Sequence, residues 1–448
     1  MEWPTLSETD TDLAARLIDA AKAAGAEAAD ALVISETALQ VGVRAGVLEE
    51  AEREESTGLG LRVLIGQRQA CVASSTAAAI DEMAARAVAI AREAPDDAFC
   101  GLLEAGQVTA ADLDLDLEDT APAPDPAMLE AMALEAEAAA LEITGITQVE
   151  QASAGYGQTR VTMAATNGFA GSYGRTSTGL SVSAIAGEGL GRERDYRGES
   201  RRYLADLPSA REIGLSAGER AIERLAPRKP PSGAYPVLYD VRVAPGLIRH
   251  VLGAINGSAV ARGASWLRET LGAEILPRGL DLIEDPLIRR GPASRPFDAE
   301  GVAGAASALV EDGVLARWIL DAATARKLGL TTTGNARRGT TAPPSPGTTN
   351  VRLTPGSRSR AELIAEMGTG LIVTSMIGAS INATTGAYSR GASGFWVEGG
   401  EIAYPVNEIT VAGSLPQIMR RIVPANDPDP AVSVSVPSLL VEGLTIGA

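Results

Sequence analysis

The sequence predicts an α+β protein: an N-terminal α+β domain with long antiparallel strands and flanking helices, then a C-terminal, mostly antiparallel β domain that is barrel- or sandwich-like. Helix-period and alternating apolar segments follow one another up to residue 226. The stretch PRKPPSG, 227–233, has three prolines and a glycine and predicts a linker. Short strand-like segments with Gly, Ser, Thr and Pro between them fill the rest. The predicted domains are therefore 1–226 and 234–448.

The first half contains two similar series of elements. Each series has a helix at its start, alternating strands in the middle and a helix at its end. The predicted helices cover 9–25, 77–94, 125–143 and 209–226, and the predicted strands cover 31–43, 60–74, 147–155, 160–174 and 179–189. Gly66 and the pair Asn167-Gly168 predict tight turns between strands. The pattern therefore predicts one domain with an internal repeat.

The second half begins with an apolar strand, AYPVLYD, and a helix that carries His250. Further along, FWVEGGEIAYPVNEITVAG predicts a hairpin about Gly399-Gly400. The C-terminal SLLVEGLTIGA predicts another hairpin about Glu442-Gly443. Strand, turn and strand at this spacing are typical of an antiparallel barrel or sandwich.

Composition excludes several classes of function. The 448 residues carry a formal net charge of −18 with a pI of about 4.7, which disfavours binding to nucleic acid or to anionic membranes. Cys71 and Cys100 are the only cysteines, too few for a disulfide framework. The acidic N-terminus has no apolar stretch typical of a signal peptide, and no run of about 18 apolar residues occurs. We therefore expect a cytoplasmic protein.

Common catalytic motifs are missing from the sequence. A G-x-S-x-G match at 214–218 falls inside the helix predicted over 209–226 and not at a strand-to-helix turn, so it is no nucleophile elbow; there is no G-x-x-x-x-G-K-[ST] loop, and His250 is the only histidine. A catalytic zinc site needs three protein ligands and an open position, whereas His250 has no second histidine three to five residues later. An alternative stays open: carboxylates could form a site for a metal ion that prefers oxygen ligands. The candidates are Glu284, Asp285, Asp298 and Glu300.

Two segments of the second half are unusually rich in glycine. Segment 327–350 contains the adjacent Arg337 and Arg338, and segment 384–400 interleaves glycine with aromatic and basic residues. Such glycines are typical of tight turns in a β domain, or of an open groove in which another chain lies. The residues that we predict to contact a substrate or partner are His250, Asn256, Arg262, Arg337, Arg338, Tyr388, Arg390 and Trp396.

Several strings resemble the TldD/PmbA family, and in particular its PmbA branch, also called TldE. They include RHVLGAINGSAVARGASWLRETLG, SRPFDAEGV, DGVLARWILDAATARKLGLTTTGNA, PSLLVEGLTIGA and the long stretch from Gly368 to Gly413. The resemblance implies one subunit of a heterodimeric bacterial metalloprotease that trims peptide-antibiotic precursors and degrades an antitoxin. In that family the TldD subunit holds zinc with an H-E-x-x-x-H helix and a cysteine near the C-terminus.

The resemblance implies that this chain lacks most of the zinc site. The first histidine of the motif corresponds to His250, the glutamate to Val251 and the second histidine to Ile255. The cysteine would fall near NDPDPA, 426–431, which contains none. We therefore expect a catalytically inactive subunit that has no cofactor of its own, with zinc in a TldD-type partner and unfolded peptides as substrates. A homodimeric hydrolase and a non-enzymatic peptide-binding adaptor remain the alternatives.

Overall fold

The computed structural model describes residues 7–109 and 113–448. Residues 1–6, on which part of the expectation about a signal peptide rests, lie outside the described residues. The helices are α1 (Ser7–Ala23), α2 (Ile80–Glu93), α3 (Pro126–Leu141), α4 (Ala210–Glu223), α5 (Ala244–Ala254), α6 (Gly257–Ala261), α7 (Ala322–Leu328), α8 (Arg360–Met367) and α9 (Leu415–Met419). No helix of this described part is long and apolar enough to cross a membrane.

The strands are long in the first half and mostly short in the second. Those of the first half are β1 (Ala28–Arg44), β2 (Val47–Ile65), β3 (Arg68–Ser74), β4 (Ile146–Ala165), β5 (Ala170–Ala186) and β6 (Glu193–Arg201). Those of the second half are β7 (Gly233–Tyr239), β8 (Leu282–Glu284), β9 (Ser307–Glu311), β10 (Val314–Leu315), β11 (Ala336–Arg337), β12 (Ser345–Pro346), β13 (Val351–Leu353), β14 (Gly370–Ile381), β15 (Ala387–Glu398), β16 (Glu401–Ser414), β17 (Val423–Pro424), β18 (Val434–Ser435) and β19 (Leu439–Gly447).

Two units with the same element order build the first half. The first unit runs α1, β1, β2, β3, α2, and the second runs α3, β4, β5, β6, α4. Their strands form one sheet in the order β3-β2-β1-β4-β5-β6, in which β1 and β4 pair antiparallel at the centre. Both the internal repeat and the long antiparallel strands are therefore confirmed. Gly66 and Gly168 have φ of +56° and +94° in the predicted turns, which glycine adopts without strain.

All four helices of the first half cover the same face of this sheet. Leu17 of α1 lies in one apolar cluster with Val33, and Leu129 of α3 lies in another with Leu180. Successive side chains of a strand point to opposite faces of the sheet, and β5 buries every second side chain along most of its length. The helices therefore cover the face to which these buried side chains point. The opposite face, which carries the other half of the side chains, is left for the second half of the chain.

Five strands of the second half close into a barrel. They follow the order β16-β15-β14-β7-β19, and β19 also pairs with β16. All of these pairings are antiparallel except that of β14 with β7. Leu371, Trp396 and Val411 of these strands are at most 1% exposed and belong to the main apolar core. A mostly antiparallel, barrel-like domain is therefore confirmed.

The predicted hairpin at Glu442-Gly443 is wrong, whereas a turn does occur at Gly399-Gly400. Residues 439–447 form the single strand β19, with a shift of register between Val441 and Leu444 opposite β7. Gly443 has φ of +73°, as a bulge allows. Because β19 pairs with β7 along its length and with β16 near its end, long-range pairing keeps it continuous where the local sequence indicated a turn.

A second sheet of this half brings the loop 426–431 close to α5. Its order is β10-β9-β8-β13-β18, with β18 parallel to β13. Helix α5 packs against β18, which begins three residues after that loop. The pairing of short strands far apart in sequence therefore places the C-terminal loop beside the helix of the single histidine.

The two halves pack through apolar and polar contacts. The Phe297 ring lies edge-on to Phe169 and Tyr173 at centroid distances of 5.0 and 5.4 Å. The guanidinium of Arg326 donates to the carbonyl oxygens of Phe99, Gly101 and Leu102 at 2.8–3.1 Å. The aromatic contact joins the helix-free face of the first sheet to the second half, and the buried hydrogen bonds of Arg326 join the loop 99–102 to it.

Candidate functional site

Helix α5 turns its apolar side into the core. Pro245 stands in its first turn, where an amide donor is not required. Val251 lies in the helix and Ile255 is its C-cap residue; both are 0% exposed and belong to the main apolar cluster. These are the positions where the resemblance places a glutamate and a second histidine. Neither residue has an atom that could bind a metal or move a proton.

His250 is half-buried on the same helix. Its ring lies edge-on to the Tyr388 ring with 6.0 Å between the centroids. Burial lowers the pKa of His250 below its usual value, and the nearby charge of Arg390 lowers it further. The structure therefore brings together three of the predicted residues, and it keeps the imidazole neutral near pH 7.

A cleft of about 800 Å³ lies between α5 and the uncovered face of the first sheet. On one side it is bounded by Pro245 and Arg249 and by Asp429, Ala431 and Val432 of the C-terminal loop. Its other side is formed by β1, β4, β5 and β6. The cleft is large enough for a short extended peptide.

Glycine and serine form the floor of this cleft. The floor residues occupy alternate positions of neighbouring strands: Ser153, Gly155 and Gly157 on β4, Ser177, Gly179 and Ser181 on β5, and Gly198 and Ser200 on β6. They are cross-strand partners, so they share one face. The hydroxyls of Ser153 and Ser181 are 2.9 Å apart, and those of Ser177 and Ser200 are 3.1 Å apart. A floor with such small side chains leaves room for a ligand over the sheet.

The rim of the cleft is richer in arginine than in carboxylate. Arginines at positions 197, 201, 220, 242 and 249 line it, together with Glu199 and Asp429. Glu199 accepts from Arg197 and Arg201 at 3.0 Å each, and burial lowers the pKa of Arg220. Arg197, Glu199 and Arg201 alternate with the floor residues of β6, so their side chains lie on the opposite face of the sheet. Arg242 pairs with Asp195 at 3.0 Å and with Asp240 at 3.4 Å, so carboxylates largely balance the charge at the rim.

The described residues do not bring metal ligands together. Within the ranges 7–109 and 113–448 no group of three or more His, Cys, Asp or Glu is placed to hold a metal ion. Both oxygens of Glu284 accept from Asn335 at 2.8 and 2.9 Å, and one also accepts from the Thr349 amide. The oxygens of Asp298 accept three backbone amides at 2.9 Å.

The other two carboxylates of the alternative metal site also have partners. Glu300 accepts from the Ala322 amide at 2.8 Å, and Asp285 accepts from the Leu287 amide at 2.9 Å. All four candidate carboxylates therefore hold loops of the second half, which disfavours a metal site built from them.

None of the eight predicted contact residues is among those that line the cleft, and the five not yet described lie elsewhere in the second half. Asn256 caps α6 and donates to the carbonyl oxygen of Pro346 at 2.9 Å, so its side chain has a structural role. Arg262 is exposed at the end of α6. Trp396 is 1% exposed and packs edge-on against Tyr235 at 5.0 Å, so the expectation that it lines a groove is corrected by its burial.

Arg337 and Arg338 differ although they are neighbours. Arg337 is exposed, whereas the side chain of Arg338 is 1% exposed and forms an ion pair with Asp30. Segment 327–350 is thus part of the contact between the two halves, where it contributes β11 and β12.

The Gly/Ser floor was not predicted from the sequence. The signal was present, because Ser153, Gly155 and Gly157 recur at every second position, as do Ser177, Gly179 and Ser181. Period-two small residues mark one face of a strand as free of bulky side chains.

The chain matches family models along most of its length. The PmbA/TldA metallopeptidase C-terminal domain matches residues 232–448, the central domain matches 112–225 and domain 1 matches 29–91. The metalloprotease PmbA of Escherichia coli O157:H7 is 36% identical over 429 residues, which cover 95% of this chain and 92% of that protein. A metalloprotease TldD homolog of Buchnera aphidicola subsp. Acyrthosiphon pisum is 25% identical over 316 residues, 64% of this chain and 65% of that protein.

A solved structure has the same fold. It is described as a modulator of DNA gyrase from Bacteroides thetaiotaomicron VPI-5482, with a TM-score of 0.90 and 27% identity over 99% of this chain and 100% of that one. The chain therefore shares the closed barrel and the duplicated sheet with that structure, and the family models that match it are those of metallopeptidase domains. The chain belongs to the TldD/PmbA family, as a member of the PmbA type.

Proposed function

We propose that this chain is the non-catalytic subunit of a heterodimeric zinc metalloprotease whose TldD-type partner carries the metal. The assembled enzyme degrades or trims unfolded peptides, such as precursors of peptide antibiotics or an antitoxin. The relative named metalloprotease PmbA supports the link to peptide hydrolysis, and the similarity to a TldD homolog supports a partner of common ancestry.

One observation carries the proposal of inactivity: Val251 and Ile255 are 0% exposed core residues at the positions of the motif's glutamate and second histidine. The residues present do not fit a catalytic zinc ion, because His250 alone offers a ligand atom there and the neighbouring loop 426–431 has no cysteine. Hydrolytic chemistry is therefore assigned to the partner, and this chain has no cofactor of its own.

In the complex, the role of this chain is to bind the peptide substrate in its cleft. An extended peptide over the Gly/Ser floor meets few side chains, so its binding depends little on its sequence. Peptides that retain tertiary structure do not fit a cleft of about 800 Å³, which favours unfolded substrates. This chain would thus form walls of the substrate chamber beside the partner's active site.

Cleavage of an unstructured, fluorescence-quenched peptide tests the proposal. The assay compares this chain alone, an H-E-x-x-x-H partner alone and the mixture, each with and without a chelator. We expect cleavage that a chelator abolishes, at a rate several-fold higher in the mixture than in either chain alone, and no zinc in the purified chain.

Two variants test whether cleavage depends on the cleft or on another surface of the same sheet. Ser181→Trp fills the floor and should reduce cleavage by the mixture, whereas Ser56→Trp, at an exposed position of the same sheet that does not line the cleft, should not. Chelator-sensitive cleavage by this chain alone would establish the homodimeric hydrolase instead. Peptide binding with no cleavage in any mixture would favour the adaptor.

A further inference from the structure

A second cavity, of about 260 Å³, lies on the same face of the first sheet, between it and the second half. Four arginines line it: Arg175, Arg295, Arg337 and Arg338. Arg175 comes from β5, whereas the other three come from loops and β11 of the second half. The cavity therefore concentrates positive charge from both halves in a chain whose net charge is −18.

Two of these guanidinium groups have buried donors without partners. The Arg338 side chain is 1% exposed, and its Nε meets no hydrogen-bond acceptor among the described residues. Arg295 donates one N–H to the carbonyl oxygen of Ala336 at 2.7 Å, but its buried Nη2 has no acceptor within that same part of the chain. Buried donors without acceptors are rare in folded proteins, and charged ones are especially costly.

Nearby carboxylates do not balance the arginines. Asp298 lines the cavity and Glu284 is near enough for its charge to act on Arg295, yet the oxygens of both already accept hydrogen bonds from Asn335 or from backbone amides. Asp30 pairs with Arg338 but is shared with Arg62. In the described ranges, Arg175, Arg295 and Arg337 take part in no ion pair within 4.0 Å.

A fifth arginine adds to the charge. Arg202 donates only to carbonyl oxygens in the hydrogen bonds of the described residues, including that of Thr176 at 3.0 Å. Burial, and then the charge of Arg175, lower the pKa of Arg202 to about 10. The shortage of negative charge therefore extends beyond the lining of the cavity.

We propose that this cavity binds a phosphate group, either inorganic phosphate or the phosphate of a small monoester. Guanidinium groups bind the oxygens of phosphate in pairs of hydrogen bonds, and a doubly charged ion suits several arginines better than a carboxylate does. The volume suits a small ion and leaves little room for a larger ligand. Arg337 lies at the exposed rim, where the absence of a side chain at Gly347 makes room for its methylene groups.

This proposal does not depend on the proposed function. Neither Arg295, Arg337 nor Arg338 lines the Gly/Ser cleft, and the test uses the full chain without peptide or partner. A bound phosphate would contact both halves and hold them together.

Isothermal titration calorimetry with sodium phosphate and with glycerol phosphate, at constant ionic strength, tests the proposal. We expect one site per chain with a dissociation constant below about 1 mM for at least one of the two ligands. Tighter binding of the monoester would identify a metabolite as the source, and tighter binding of phosphate would identify the free ion. A titration with sodium acetate should show binding at least about tenfold weaker.

Arginine variants locate the site. Arg337→Met removes an exposed rim residue and should weaken phosphate binding by about tenfold or more. Arg175→Met, on the opposite wall, gives a second variant if the first does not fold by circular dichroism. Arg262→Met, at an exposed position outside the cavity, is the control and should leave the affinity unchanged. Absence of saturable binding, or equal affinity in all folded variants, would overturn the proposal.

Discussion

The Asp30 carboxylate and the Arg338 guanidinium form a buried ion pair across 308 residues of sequence. Their side chains are 5% and 1% exposed, and Asp30 also accepts from Arg62 Nε at 2.7 Å. Asp30 belongs to β1, whereas Arg338 follows β11, so the pair fastens the second half to the first sheet.

Removal of this carboxylate should destabilise the chain strongly. Asp30→Asn leaves two buried guanidinium groups without their shared counter-ion, and we expect a loss of about 3–5 kcal/mol in the free energy of unfolding. Glu269→Gln, which breaks an exposed pair with Arg268, should change that free energy by less than about 1 kcal/mol. Urea denaturation followed by circular dichroism measures both. Equal midpoints for the two variants would show that the buried pair is not important for stability.

The contact between the halves also depends on a glycine. A Cβ built on Gly60 lies 2.7 Å from Thr340 Cα and from its carbonyl oxygen, which are backbone atoms. We expect Gly60→Ala to lower the free energy of unfolding by about 1–3 kcal/mol, because the two segments must separate.

Gly253→Ala is the matched control for that substitution. Its new Cβ would meet no described atom within 4 Å, and the exposed helical position favours alanine over glycine by about 1 kcal/mol. The two alanine variants should therefore shift the melting temperature in opposite directions. A Gly60→Ala chain as stable as the parent would mean that Thr340 can move away.

The duplicated first half could largely be predicted from the sequence, because its signals are local. The alternation in β5 and the turn at Asn167-Gly168 each depend on residues within a few positions of one another. The helix of His250 was predicted for the same reason. The resemblance to the TldD/PmbA family added what these patterns do not contain, namely where the missing zinc ligands would stand.

Other features depend on contacts between distant segments and could not be predicted. Glu442-Gly443 looks like a turn, but β19 continues because β7 and β16 pair with it. Arg338 looks like an exposed loop residue, but Asp30 binds it in the interior. Trp396 resembles a binding residue among glycines, yet barrel closure buries it. In each case the partner is too far away in sequence for a local pattern to show it.

Introducing the motif's glutamate should damage the fold rather than restore activity. Val251 is 0% exposed in the main core, so Val251→Glu buries a carboxylate without a partner and should cost about 3 kcal/mol or more. Gly253→Glu places the same side chain at an exposed position of α5 and should cost little. Thermal melts of the two variants give the comparison. A Val251→Glu chain that melts like Gly253→Glu would show that this core accepts the charge.

The last prediction concerns Glu300, whose carboxyl lies among loops of the second half. Burial raises the pKa of Glu300 from 4.5 to about 8, and the nearby charge of Asp298 adds to the shift. The folded chain therefore holds this proton more tightly than the unfolded chain does. The resulting stability is fully present below about pH 4.5 and is lost as the pH rises through about 8. Over that range the loss should be on the order of 5 kcal/mol.

Glu300→Gln should remove this dependence on pH. The amide oxygen of the glutamine can still accept from the Ala322 amide, which Glu300 binds at 2.8 Å, and the side chain no longer has a proton to lose. The free energy of unfolding, measured by urea denaturation from about pH 5 to about pH 9, should fall less in the variant than in the parent. The variant should thus be the more stable chain above about pH 8, while Glu269→Gln should follow the parent. Parallel curves for parent and Glu300→Gln would show that the Glu300 carboxyl is ionised in the folded chain throughout this range.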